Sequence, residues 1–292
     1  MTDLAENTST GTLTVAVIGA GGKMGTRVSN NLARSGFTVR YAESSPAGAA
    51  RVRAAGRDVV PAAEAVADAD VVVLAVPDVV LGTVSEDLVP RMKDGSVLLT
   101  LDPAAAYAGL LAQREGVAQA CAHPCHPSVF LERRTDAEYA DTFGGVAAAQ
   151  DVVAALEVAD EDVRAVVEQV VRTIYAPVLD VHWVTVKQLA VLEPTLVETI
   201  ACMVGELLQE ALEETVTTAG VPAEAARAML WGHVGIALTN ALRGSNPFSE
   251  ACHTAMAYGR ESIVKDDWKK IFRDEELDTV IARMLRIDAV RR

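Results

Sequence analysis

Residues 14–18, TVAVI, run without a break into Gly19-Ala20-Gly21-Gly22-Lys23-Met24-Gly25, and an amphipathic stretch follows. This junction restricts the fold more than any other feature of the 292 residues. The string is a G-x-x-G-x-M-G variant, because Met24 stands where a strict G-x-G-x-x-G has its last glycine. The physics is the same. Glycines let the backbone turn tightly and approach a diphosphate, and the helix N-terminus offers N–H groups and the positive end of a dipole. A glycine string alone can simply join a strand to a helix. A buried strand before it and an amphipathic helix after it make it a dinucleotide turn. Gly19, Gly21, Gly22, Lys23 and Met24 are its candidate contacts.

Further along, β-rich runs alternate with helical patterns. The clearest run is 71–76, six apolar residues of which four are valine, as expected of a strand buried on both faces. Strands are expected at 38–42, 58–60, 96–101, 117–122, 151–157 and 177–181, with helices between most of them. Such alternation predicts an α/β fold, an N-terminal Rossmann domain with a doubly wound parallel sheet. After His182 the pattern becomes helical only. Leu189, Leu192, Leu196, Ile200, Met203 and Leu207 mark one apolar stripe on a helix over 184–219, which would be about 54 Å long at 1.5 Å per residue. The expected organisation is a disordered tail at 1–11, the Rossmann domain at 12–182 and an all-helical domain at 183–292. A helix that long suits a homodimer core.

The formal net charge of −14 gives no basic stripe for nucleic acid. No apolar run is long enough to span a bilayer, and the acidic, polar start lacks the features of a signal peptide. Four cysteines in a chain this long do not suggest a disulfide scaffold, so a reducing cytoplasm is expected.

Glu43 closes the second strand about 20 residues past the turn, where a carboxylate accepts from ribose hydroxyls and repels a 2′-phosphate. With no arginine immediately beside it in sequence, the reading is NAD rather than NADP. Val76, Pro77 and Asp78, after the clearest strand, are expected to form the next wall of the groove. Asp102 lies at the same carboxyl edge.

The catalytic candidates start with Cys121-Ala122-His123-Pro124-Cys125-His126-Pro127. The prolines stiffen this loop, and so tight a spacing cannot wrap two Cys and two His around one zinc. His123 beside a nicotinamide could accept an alcohol proton, or either histidine could ligate a metal or simply bond to backbone. Glu193 falls within the apolar stripe and is followed by Pro194, which removes a helix hydrogen bond. A buried acid beside a helix defect suggests a metal or a substrate hydroxyl as partner, or a locally paired structural carboxylate. His233, flanked by Gly232 and Gly235, is either a core histidine or a third ligand with His126 and Glu193 for a divalent cation. Lys187 could polarise a carbonyl or be solvated.

The stretches GAGGKMG, AVPD and AHPCHP resemble prephenate dehydrogenases and 6-phosphogluconate-type dehydrogenases. HPCHPSVF (123–130), HWVTVKQLAVLEPTLVET (182–199) and KDDWKK (265–270) are similar to the D-apionate oxidoisomerase family, over nearly the whole chain. The helical part also resembles what is described as a phosphogluconate dehydrogenase C-terminal domain. It lacks that family's lysine-and-asparagine pattern, since Val191 stands four residues after Lys187. The resemblance implies NAD-dependent oxidation of a branched sugar acid coupled to a skeletal rearrangement, giving a 3-oxo-isoapionate-type product. It implies His123 as the base for hydride transfer, and His126, Glu193 and His233 as the metal or substrate-oxygen set. The alternative is a plain NAD-dependent 3-hydroxyacid or phosphogluconate-type dehydrogenase without rearrangement.

Overall fold

A computed structural model describes residues 12–245 and 247–291. The stretch 1–11, read as a tail, lies outside the described residues. The chain forms two compact units. One holds the described residues up to Ala190 together with those from Ile281 onward, and the other is Val191–Val280.

The first unit is built on a seven-stranded sheet: β1 (Thr14–Ile18), β2 (Thr38–Ala42), β3 (Val71–Leu74), β4 (Ser96–Thr100), β5 (Val117–Pro124), β6 (Gln150–Leu156) and β7 (Val178–Val184), in the order β2-β1-β3-β4-β5-β6-β7. The first five strands pair in parallel. β3 and β4 are buried at every position, as both faces of a parallel sheet require. The helices are α1 (Lys23–Leu32), α2 (Pro46–Ala54), α3 (Ala62–Ala67), α4 (Leu81–Leu88), α5 (Ala104–Tyr107), α6 (Asp136–Ala140), α7 (Glu161–Ile174) and α8 (Val186–Ala190). α1 turns Val28 and Leu32 into the core, and α7 turns in Val167, Val170, Val171 and Ile174.

The sheet departs from all-parallel at one step. β6 runs antiparallel to β5, with His123 opposite Val153 and Pro124 opposite Val152, and β7 then pairs parallel with β6. The reversal brings the amino end of β6, and the segment leading into it, to the edge where β1 to β5 end. Residues 58–60 give only a single bridge, Tyr41 to Val59, because Pro61 has no N–H with which to extend the ladder.

The boundary differs from the expected 182/183. A cut there would pass through β7, which stays paired to β6 as far as Val184, and Leu189 of α8 is buried with Cys121 and Ala155 of the sheet. The end of the chain returns to the first unit, where Arg291 N donates to the Ala108 carbonyl at 3.2 Å.

The second unit is helical throughout its described residues: a π-helical segment at Val191–Cys202, α9 (Met203–Thr217), α10 (Ala223–Leu242), α11 (Glu250–Ile263), a 3-10 turn at Trp268–Phe272 and the start of α12 (Asp274–Leu285). The expected uniform helix over 184–219 is therefore α-helical, then π-helical, then α-helical. Pro194 lies inside the π segment, and Thr199 Oγ1 donates to the Pro194 carbonyl five residues back, at 2.7 Å. A proline that cannot close the ordinary i to i−4 bond is accommodated by the wider turn. The predicted apolar stripe is buried at Leu189 only at its start. Leu196, Met203 and Leu207 are exposed in the single chain.

Candidate functional site

The turn after β1 is held by close backbone approach. Gly19 has φ +82, and a Cβ there would lie 2.6 Å from the Ala75 carbonyl oxygen. Ala75 in turn donates its N–H to Ile18 O at 2.8 Å. This is the switch point of the sheet, where the chain leaves β1 for β2 on one side and β3 lies on the other, and ligands of open α/β sheets bind in that crevice. A cleft of about 950 Å³ opens there, lined by Gly19, Gly22, Glu43, Ser45, Arg51, Val76 and Pro77 among others. No side chain caps α1, whose N-cap is Gly22, so the start of that helix faces the cleft as an anion site. A diphosphate fits this cradle.

The Glu43 carboxylate does more than the sequence suggests. Oε2 accepts from Gly21 N and Oε1 from Ser45 N, both at 2.9 Å. Burial alone would raise its pKa, but the bonds from Ser45 and Gly21 and the nearby Arg51 charge outweigh it and hold the carboxyl below its usual range. Gly48 makes room for it, since a Cβ at 48 would lie 2.5 Å from Glu43 Cδ. No arginine adjoins Glu43 in sequence, but Arg51 comes close enough in space to help lower its carboxyl. Its Nε donates to Gly21 O at 2.8 Å, reaching back from α2.

Of the other cofactor candidates, Gly21 is buried under its bond to Glu43, Met24 is half-buried and Lys23 is exposed at the start of α1. Asp78 opens a 3-10 turn beside Val80, and burial raises its carboxyl. Lys23, Met24, Asp78 and Asp102 do not line the cleft.

His123, the penultimate residue of β5, sits farther along the same carboxyl edge. Its Nδ1 lies 3.1 Å from the Leu101 carbonyl, which can only accept, so Nδ1 carries the proton and Nε2 is the basic nitrogen. Burial, with a smaller contribution from His126, lowers its pKa to about 4 against the pull of the Leu101 bond. The imidazole is therefore neutral near pH 7. Asp102, which caps the short α5 by accepting from Ala104 N at 2.8 Å, has a carboxylate oxygen within 4.8 Å of a His123 ring nitrogen. His126 is 6.2 Å from His123 between ring centroids, edge to face, and its Nδ1 lies 2.7 Å from the Phe143 carbonyl.

Lys187 is exposed on α8. In the helical unit Glu193 is buried, 6% exposed, within the π segment. His233 is exposed on α10, with Nδ1 against its own Met229 carbonyl at 2.8 Å. Among the described residues neither His126 nor His233 joins a group of three or more potential ligands.

Comparison with known proteins matches the chain in two parts that meet near residue 130, before β6. Residues 11–128 match the acetohydroxy acid isomeroreductase NADPH-binding domain, and 131–285 match the C-terminal family of decarboxylating phosphogluconate dehydrogenase. A D-apionate oxidoisomerase of Pectobacterium atrosepticum is 58% identical over 96% of this chain and 98% of its own length. One from Blautia hydrogenotrophica is 41% identical over 95% of this chain and 98% of its own. A crystal structure described as a semialdehyde dehydrogenase NAD-binding protein of Cupriavidus necator, in complex with calcium and NAD, is 39% identical and superposes with a TM-score of 0.89, covering 93% of this chain and 99% of that one.

Two outcomes follow from the geometry. Replacing Glu43 by alanine frees the Gly21 and Ser45 amides and removes the carboxylate expected to accept from the ribose. Fluorescence titration should show NAD affinity weakened about tenfold, equivalent to about 1.4 kcal/mol, with relaxed discrimination against NADP. The His123 proton signal should titrate near pH 4 in the folded protein, well below the 6.5 of a free imidazole. Between those values the unfolded chain takes up a proton that the folded chain refuses, so this group makes stability fall as pH drops from 6.5 towards 4. A midpoint near 6.5 in the NMR titration would remove both statements.

Proposed function

The chain belongs to the D-apionate oxidoisomerase family, and on that premise we propose that it oxidises a branched sugar acid of the apionate type and rearranges its carbon skeleton, giving a 3-oxo-isoapionate-type product. The observation that carries the reading is His123: a neutral imidazole of fixed tautomer on the sheet edge that also bears the dinucleotide cleft.

NAD, when bound, supplies the hydride acceptor. The start of α1 and the glycine turn hold the diphosphate, Glu43 takes the ribose hydroxyls, and Val76 and Pro77 wall the groove. As the secondary alcohol loses its hydride, His123 Nε2 takes the hydroxyl proton. The burial that keeps this nitrogen neutral also makes it a weak holder, so the proton is passed on. The resulting α-hydroxyketone carries a tertiary hydroxyl next to the new carbonyl. Loss of that hydroxyl proton forms a second carbonyl as one carbon–carbon bond migrates to the first, whose oxygen is then protonated.

Carboxylate oxygen and imidazole nitrogen suit a divalent cation, and a cation when bound would steady the charge on both oxygens. Asp102 adds a carboxylate beside His123, and His126 offers a second imidazole at the same edge. Glu193 is the carboxylate that the helical unit offers to a cation or a substrate hydroxyl, and its burial beside Pro194 supports that assignment. Calcium accompanies NAD in the Cupriavidus necator structure. We assign neither His233 nor Lys187 a role within a single chain.

No helix of the described residues is long and apolar enough to cross a membrane. We place the protein in the cytoplasm as a homodimer. Support for the dimer comes from large apolar side chains left in solvent on α10, Met229, Trp231 and Leu242 being 64%, 69% and 69% exposed.

Incubation with D-apionate and NAD should yield one equivalent of NADH and a product whose carbon skeleton, read by 13C NMR, is rearranged. An unrearranged skeleton would support the plain dehydrogenase instead. Replacing His123 by asparagine should lower kcat by about 10²–10⁴ with NAD binding kept. Chelation should stop turnover without releasing NAD, and full activity in chelator would remove the cation. Light scattering should give twice the chain mass of 30.8 kDa, and a monomer would refute the dimer.

A further inference from the structure

The antiparallel step of the sheet brings to the His123 edge a segment that holds none of the sequence candidates. The loop entering β6 is folded around Asp141, whose carboxylate accepts the backbone N–H groups of Gly144, Val146, Ala147 and Ala148 at 2.7–3.1 Å. Burial alone would raise this carboxyl, but the four bonds prevail and hold it below the usual range. The loop so shaped brings Phe143 against a cation and an imidazole. The Arg27 guanidinium carbon lies 4.0 Å from the Phe143 ring centroid, and the centroid of the His126 ring lies 4.4 Å from it. Arg27 Nη1 also donates to the Gly144 carbonyl at 2.9 Å, so one side chain grips both ring and backbone. His126 itself has φ 60, a conformation a non-glycine residue keeps only where its surroundings enforce it.

We propose that Asp141, Phe143 and Arg27 are positioning residues for His126, fixing it as the Nδ1–H tautomer so that Nε2 is the nitrogen offered to a substrate hydroxyl or a cation. The Phe143 carbonyl takes the Nδ1 proton, the Phe143 ring sets the imidazole plane, Arg27 holds that ring, and Asp141 holds the loop that carries it. Arg27 projects from α1, the helix whose first turn faces the diphosphate cradle. The element that seats the cofactor thus also sets the imidazole. The catalytic use of His126 rests on the function proposed above, but its tautomer does not.

The test uses the full-length protein labelled with 15N in its histidines, with and without NAD. In the parent protein the neutral form of His126 should show one protonated Nδ1 and one bare Nε2. Arg27→Gln and Phe143→Ala should blur this into an averaged pattern and lower kcat about tenfold, while KM for NAD changes less than about twofold. Phe143→Tyr, which keeps the ring, should keep both the pattern and the rate. Melting temperatures identify a variant that fails to fold, and Arg27→Gln, at a half-buried site, is the substitution least expected to do so. Folded Arg27→Gln with an unaltered His126 pattern and kcat overturns the proposal. A blurred pattern in a protein inactive on D-apionate would leave the positioning intact and overturn only the function.

Discussion

Everything at the cofactor edge depends on how near the backbone after β1 comes to the backbone after β3. A side chain at Gly19 would collide with the Ala75 carbonyl, and one at Gly25 would come within 2.0 Å of the Gly19 oxygen. With neither present, helix α1 starts directly above the crevice between the two strands. Glu43 then closes the arrangement from β2 by bonding to the Gly21 amide. Three strands therefore meet at one small volume, and the same carboxylate that suits a ribose also holds the turn that suits a diphosphate. Changing any of these groups alters both halves of the proposed dinucleotide seat.

Legibility from sequence followed the range of the forces involved. The strand–turn–helix junction, the valine-rich strand and the place of Glu43 at the end of β2 were readable because local pattern determines them. Arg51 was not, since its approach to Gly21 depends on the angle at which α2 leaves Ser45. The reversed strand β6 was also hidden, because a buried strand has the same composition in either direction. That one reversal explains why Asp141 and Phe143 were missed: they gain a role only when the chain preceding β6, rather than the chain following it, lies beside His123. The exposed stripe on 196–207 looked like core because periodicity reports a face that wants cover, not the molecule that provides it.

His123, near the end of β5, and His126, just past it, share a chemical logic. Each gives its Nδ1 proton to a backbone carbonyl, Leu101 for one and Phe143 for the other. A backbone carbonyl can only accept, so the neutral form of each ring presents the same nitrogen, Nε2. Pro124 and Pro127 flank His126 and limit the backbone freedom that would undo this. A side-chain partner such as an amide could flip and reverse the tautomer, whereas a main-chain oxygen cannot.

The wide turns of Val191–Cys202 have a consequence for how such a chain can vary. A π turn holds one residue more than an α turn. Deleting a single residue there would let the coil tighten and turn α9 by about 100° relative to Glu193, since each α-helical residue advances the spiral by that amount. The carboxylate and the apolar face beyond Cys202 would then lose their present phase. Length in this stretch should accordingly be far less free to drift than in the surface loops, even where the individual side chains tolerate exchange.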